Sequence, residues 1–334
     1  MSGQKAATST RSVRAPENDV AYYTAANASY FLGTVALLNS LRRAGDEAPL
    51  FVVDCGLTAA QRERLSTRAT LVPTQEGLHP ILQKATGPLA HPAEVMVFVD
   101  SDILVSCPLS PLLAQARAGR IVAFEDFGHP SRFFSEWSSL ELGEVQPRPY
   151  VNSGFFAFSW DTAQTFLPLF SELQRTVDLG NSLVGDGSPD HPFYFPDQDL
   201  LNALLCARFD GQVTRLDRRL APFPPFDGLE LTLGDRTPCA YPDGVTPFVL
   251  HHTHRKPWLA PLKPNIYSRL FAIVVTDPRA CLPIDPRELP LRLTDRPLAR
   301  VAAWRASKQE AAHRRIRGKL KIRPRIARFL AHFA

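Results

Sequence analysis

Two aspartates separated by a single residue, Asp100 and Asp102, follow directly on the apolar run 95–99. Such a run is expected of a buried central strand, and open α/β sheets present their ligand-binding groups beyond the carboxyl ends of their strands. Two carboxylates at that end can both turn toward one hard cation. A divalent ion held there would neutralise a pyrophosphate and assist its departure as a leaving group. The motif is short, and its alternative is a loop turn in which Asp102 caps the next element. A second donor set lies in His251-His252-Thr253-His254-Arg255-Lys256-Pro257-Trp258, delivered by the strand-like run 248–250. Imidazole is a good ligand for Mn²⁺-like ions, and a lysine nearby offsets phosphate charge. Strand alternation turns only one of His251 and His252 into a cleft. A structural zinc site built on the three histidines would need a fourth ligand, which the neighbouring sequence lacks.

The frame that must position these groups is legible as an alternation of strand and helix signals. Residues 20–24 are β-branched and aromatic, as a strand requires. Ser29 could cap a helix with apolar positions Leu32, Val35, Leu38 and Leu41, and Gly45 would stop it. The run 50–53 predicts a second strand, Thr58 with Gln61 a capping box, and Leu71-Val72 a short third strand before 95–99. This β-α-β-α-β order implies a doubly wound α/β sheet. Further on, 121–124 and 154–158 predict strands, Asp161 with Gln164 a capping box, and 197–206 an apolar helix. Residues 127–149 and 218–247 are rich in Pro, Gly and aromatics without periodicity, as substrate loops often are.

Composition bounds the rest. The 334 residues suffice for a full core, and no run approaches the roughly 20 apolar residues of a membrane span. Residues 1–17 are polar, lack the apolar segment of a secretory signal, and are expected to be a disordered leader. Five scattered cysteines, with no Cys-x-x-Cys pair, fit buried thiols in a reducing cytosol. Eleven of the 38 Lys and Arg side chains, but one of 33 acidic ones, fall in residues 300–334, so that segment carries +10 and the remainder −5. The body therefore gives no reason to expect a nucleic-acid face. Within the tail, Ile322, Ile326, Phe329 and Phe333 follow helical spacing among Arg and Lys. A basic amphipathic stretch of this kind fits adsorption to anionic lipid headgroups.

Several motifs in fixed order make the chain resemble glycosyltransferase family 8, the GT-A group that includes glycogenin and bacterial lipopolysaccharide galactosyl- and glucosyltransferases. The resemblance covers about residues 19–260. It is carried by Tyr22-Tyr23-Thr24-Ala25-Ala26-Asn27-Ala28-Ser29-Tyr30, Phe51-Val52-Val53-Asp54-Cys55, Lys84 sixteen residues before Asp100, Phe98-Val99-Asp100-Ser101-Asp102, Asn152-Ser153-Gly154, Asp197-Gln198-Asp199 and the His…Lys-Pro-Trp element. The resemblance implies a GT-A (Rossmann-like) mixed sheet flanked by helices, set at residues 18–283, and charge and spacing make 284–334 a basic helical tail. Asp100, Asp102 and His251 would hold Mn²⁺ or Mg²⁺ against the diphosphate of a UDP-sugar. Thr24, Tyr30, Lys84, Ser101, Asn152 and Lys256 would contact that donor, Tyr30 by packing on uracil. Asp197 and Asp126 would face the sugar, with Gln198 on the β-face of the anomeric carbon. An amide is a weak nucleophile, so the resemblance favours front-face departure, with a diphosphate oxygen assisting the acceptor's deprotonation.

Each assignment has a bland counterpart in the same residues. Lys84 could be solvated, Tyr30 part of the core, Asn152 a backbone partner at a strand start, and Asp197 a helix cap; Glu125 competes with Asp126. The family sets its lysine six residues after its histidine with a glycine midway, whereas Lys256 follows His251 by five and His254 stands at the glycine's place. The stretch between Asp102 and Asn152 is also longer than in glycogenin, and Phe133, Phe134 and Trp137 within it suit either an acceptor-side lid or core packing. The expected activity is thus retaining transfer of a hexose to a glycan or lipid-linked acceptor by a cytoplasmic enzyme peripheral on the inner membrane face. A nucleotidyltransferase would show a Gly-rich basic loop where Thr24–Ser29 has neither Gly nor Lys. The other alternative is a non-catalytic nucleotide-sugar-binding protein of the same fold.

Overall fold

Strict alternation along one buried strand organises the structure, a computed structural model that describes residues 14–232, 238–253, 255–259 and 265–289. In chain order the elements begin with β1 (Asn18–Ala26), α1 (Phe31–Arg43), β2 (Leu50–Asp54), α2 (Ala59–Ser66), β3 (Thr70–Pro73), α3 (Thr86–Ala90) and β4 (Ala93–Val99). They continue with β5 (Ile103–Val105), α4 (Ser110–Arg117), β6 (Ile121–Glu125), β7 (Val151–Ser159), α5 (Trp160–Thr176), α6 (Pro196–Arg208) and β8 (Val213–Leu216). Two short strands, β9 (Glu230–Leu231) and β10 (Cys239–Ala240), precede β11 (Val249–His251) and α7 (Ile266–Thr276). Val95, Val97 and Val99 of β4 join one apolar cluster with residues of α1, α4 and α7. Met96 and Phe98 join another with residues of α5 and α6. The part of β4 covered on both faces, 95–99, is apolar at every position, which is why it shows no period-two pattern of polarity.

The main sheet has seven strands in the order β3-β2-β1-β4-β7-β6-β8. β7 alone runs against its neighbours, pairing antiparallel with both β4 and β6, while the remaining pairs are parallel. This reversal positions the site, because it brings the start of β7 to the carboxyl ends of the other strands. The expected α/β sheet is therefore present, in mixed form. The capping box at Thr58 and Gln61 is formed, and Gly45 ends α1 in the left-handed region at φ 87°.

Other local expectations are corrected. Asn27, not Ser29, accepts the capping bond, and it opens a short 3₁₀ turn ahead of α1. α5 is capped by Ser159, whose Oγ accepts from Thr162 N, so Asp161 and Gln164 form no box there. Trp137 is buried, and its ring stacks on Tyr150 at 6.3 Å, so it belongs to the core and not to a lid face. Within the stretch expected to be disordered, Glu17 N donates to Pro92 O at 3.0 Å and Arg14 O accepts from Trp160 Nε1 at 2.9 Å. Residues 1–13 of that leader, and the tail from 290 onward with its expected amphipathic helix, lie outside the described residues.

Candidate active site

Where β4 ends, the chain turns at Asp100-Ser101-Asp102, with Ile103 N donating to Asp100 O at 3.0 Å, and leaves as β5. β5 pairs antiparallel with β11, in a register that sets His251 opposite Ile103. His252 N donates to Asp102 O at 3.1 Å, so main-chain bonds fix the histidine pair beside the acidic turn. Alternation then separates the two rings. His251 Nε2 lies 3.1 Å from Asp102 Oδ1 and 3.8 Å from Asp100 Oδ2. The His252 ring turns away, against Tyr267 at 4.9 Å and Phe226 at 6.0 Å. Room for the His251 ring comes from β7, since a Cβ on Gly154 would stand 2.3 Å from its Cε1.

Asp100, Asp102 and His251 present three donor atoms within 4.8 Å of one another. Two carboxylate oxygens and an imidazole nitrogen suit a divalent cation of the Mg²⁺/Mn²⁺ kind. Asp102 Oδ1 is buried and accepts no well-aligned hydrogen bond, a cost that a cation would relieve. The cluster thus fits a divalent metal. Its two carboxylates differ in charge environment. Burial would raise the Asp102 carboxyl, but the charges of Lys256 and His251 hold it well below the usual range, with Lys256 Nζ bonded to its Oδ2. Burial raises the Asp100 carboxyl and the charge of Asp102 adds to this, outweighing Lys84 and His251.

Two further groups of polar side chains adjoin this cluster. Lys84 is buried, with Nζ 3.2 Å from Asp100 Oδ1, 2.8 Å from Asp197 Oδ2 and 2.7 Å from Ser153 O. Burial disfavours its charge, yet Asp100 and Asp197 more than offset this and raise its pKa. On the far side, Asn152 Nδ2 donates to Asp126 Oδ2 at 3.1 Å and to Gln198 Oε1 at 2.8 Å, and Gln198 Nε2 donates to Asp126 Oδ2 at 3.2 Å. Asp126 Oδ1 accepts from the main-chain N–H groups of Gly128 and His129, so the loop after β6 is folded around that carboxylate. Asn152 and Ser153 come from the start of β7, and Asp197 and Gln198 from the first turn of α6.

All these side chains line one cleft of about 850 Å³, together with Tyr30 and Ser101. Tyr30 packs edge-on to Trp258 at 6.3 Å, and burial with the charges of Asp102 and Asp100 pushes its phenol up to about 12. Thr24 differs. It stops two residues short of the end of β1, is fully buried and lies off the cleft wall, with its hydroxyl unpaired among the described residues. No motif marks 177–195 in the sequence, yet Leu183, Val184, Tyr194 and Phe195 line the cleft, as do Phe127 and Phe223. The available signal was compositional: a Gly-, Pro- and aromatic-rich stretch directly before the Asp197 motif.

No family model matches the chain, and no curated protein does. Solved structures do match. The apo bifunctional glycosyltransferase WbbM superposes with a TM-score of 0.54 at 17% identity, over 78% of this chain and 50% of that one. The galactosyltransferase LgtC, solved with donor and acceptor sugar analogs, gives 0.51 at 17% identity, over 78% of this chain and 98% of that one. The glycosyltransferase GlyE of Streptococcus pneumoniae TIGR4 gives 0.51 at 14%, over 78% and 61%. The chain thus spans half the length of WbbM and nearly all of LgtC. Likeness at these identities defines the fold, which is an α/β fold of the GT-A kind.

Proposed function

We propose that this protein is a metal-dependent, retaining glycosyltransferase that moves a hexose from a UDP-sugar to a glycan or glycolipid acceptor. The observation that carries the reading is the juxtaposition, in one cleft, of the Asp100–Asp102–His251 cluster with the neutral-and-acidic set Asp126, Asn152 and Gln198. A divalent ion, Mn²⁺ or Mg²⁺, held by the first group supplies positive charge against a diphosphate leaving group. Lys256 and Lys84 add fixed cationic charge beside it, and Ser101 and Tyr30 complete the nucleotide side. Asp126, Asp197 and Asn152 orient sugar hydroxyls through preorganised polar contacts, as electrostatic catalysis requires. Gln198 has both ends engaged: Oε1 accepts from Asn152 Nδ2 and from Ser153 N at 3.0 Å, while Nε2 donates to Asp126. An amide so occupied serves as an oriented dipole near the anomeric carbon, which supports front-face departure over attack by Gln198. The printed names of the structural neighbours, glycosyltransferases that include a galactosyltransferase bound to donor and acceptor sugar analogs, support the same class.

Incubation with a panel of UDP-sugars, Mn²⁺ and glycan acceptors tests the reading. Mn²⁺-dependent UDP release is expected with at least one donor, with retention at the product's anomeric proton by NMR. Absence of release with every donor overturns the activity; inversion overturns the stereochemistry alone. For the acceptor, no helix among the described residues is long and apolar enough to cross a membrane. The +10 charge of residues 300–334 supports a membrane-presented acceptor reached by adsorption to the cytoplasmic leaflet.

A further inference from the structure

Behind the Asp126–Gln198 pair lies a buried ion pair that the proposed reaction does not use. The Asp199 side chain is 0% exposed and that of Arg132 8%. The guanidinium meets the carboxylate in a fork, Nε to Oδ1 at 2.6 Å and Nη2 to Oδ2 at 2.8 Å. Arg132 also donates to the carbonyls of Pro189 and His191, each at 2.7 Å, and its guanidinium carbon lies 4.5 Å from the ring centroid of Phe134 and 5.1 Å from that of Phe195. Asp199 accepts in addition from Tyr150 OH at 2.7 Å and Phe195 N at 2.8 Å. One planar cation therefore joins three segments: the loop after β6, the loop before α6, and the first turn of α6. A buried pair of this kind is seldom a net source of stability, since apolar replacements of similar volume are often neutral or better. Its geometry is what it contributes. Gln198 precedes Asp199 directly, and Asp126 sits at the other end of Arg132's own loop, linked through His129 N to Asp126 Oδ1 at 2.6 Å and Arg132 N to His129 O at 3.1 Å.

We propose that Arg132, acting through Asp199, is a positioning residue that sets the spacing of Asp126 and Gln198 and so the placement of the sugar. The proposal rests on the glycosyltransferase reading for its sugar. Of the metal-side groups, Asp100 and Asp102 form the turn between β4 and β5 and His251 ends β11, and none of the contacts described for Arg132 reaches them. R132K keeps the charge but loses the fork, and R132G opens a slot that free guanidinium can enter. Expected for R132K is a fall in kcat of about 10- to 100-fold, the scale on which small misplacements act. Affinity for UDP with Mn²⁺ should stay within about twofold, since that half of the cleft is anchored elsewhere. Guanidinium chloride at millimolar concentration should restore part of the kcat of R132G, and sodium chloride should not. Unchanged kcat in R132K, or a parallel loss of kcat, UDP affinity and melting temperature, overturns the proposal. Hydrogen exchange provides an arm independent of turnover: R132K should deprotect amides in 126–132 and 195–202 and leave β4, β5 and β11 protected. If the wild-type protein releases no UDP from any donor, the glycosyltransferase reading falls, and this exchange pattern alone decides the clamp; unchanged exchange overturns it.

Discussion

The two carboxylates of the candidate metal cluster differ by more than their position in a motif. Asp102 is ionised against Lys256 and His251, which outweigh the cost of burial and depress its pKa in the fold. A carboxyl depressed in this way contributes stability that is fully present above its unfolded pKa of about 3.9 and is lost as pH falls through the folded value. Asp100 has the opposite sign. Burial and the neighbouring Asp102 raise its folded pKa, so its ionised form at neutral pH costs stability, and the cost disappears as pH falls. With EDTA present at pH 7, Asp102→Asn should therefore lower the unfolding free energy by about 3 kcal/mol, because it strands the buried Lys256 ammonium. Asp100→Asn should raise the melting temperature, and its advantage should vanish toward pH 4. Mn²⁺ is expected to raise the melting temperature of the wild type, and both substitutions should abolish that rise. A D100N protein that melts below wild type in EDTA would remove this account of burial and like charge at Asp100. Of the two histidines, the sequence offered either, because alternation decides only that one faces inward. The resemblance favoured His251, and the register of β11 on β5 turns that ring to the carboxylates, a pairing between segments about 145 residues apart that no local pattern encodes.

At the scale of elements, the reversed strand β7 explains how Asn152 and Ser153 meet residues from the ends of parallel strands. Its direction was hidden, because a strand buried on both faces reads the same whichever way it runs. The site motifs at 100–102 and 197–198 were legible, since each sits at an element end where polarity breaks an apolar run. The Trp137 region was ambiguous for a related reason: aromatics serve a lid and a core equally well, and only the stack on Tyr150 decides. Helix caps divide in the same way. Thr58 with Gln61 forms as the spacing requires, while at α5 the earlier residue Ser159 takes the N-cap and Asp161 is left within the first turn. Ser159→Ala should then cost about 1 kcal/mol in urea-unfolding stability, the usual value of an N-cap. Asp161→Ala should cost only the few tenths expected of an exposed acid near a helix N-terminus. Equal losses would return the cap to Asp161.

For the whole molecule, the uneven charge is the property that remains to be connected with the cleft. Residues 300–334 carry +10 and the rest of the chain −5, so the tail has an electrostatic character that the body lacks. Each basic side chain near an anionic leaflet is worth about 1 kcal/mol, and the attraction falls off within a Debye length of about 8 Å at physiological salt. The described body ends at Leu289, which is buried in the main apolar cluster, and Arg64 pairs with Glu288 at 2.8 Å just before it. A chain truncated after residue 299 therefore retains every contact described for the cleft. The expected outcome is that the full chain sediments with vesicles containing anionic phospholipid at about 50 mM salt and is released as salt rises toward about 0.5 M. The truncated chain should stay in the supernatant and hydrolyse a soluble UDP-sugar at an unchanged rate, since every side chain named in the cleft lies at or before residue 256. Equal sedimentation of both chains would place membrane affinity in the body. Binding of the full chain that ignores salt would show that apolar residues such as Phe329 and Phe333, and not the arginines, carry it.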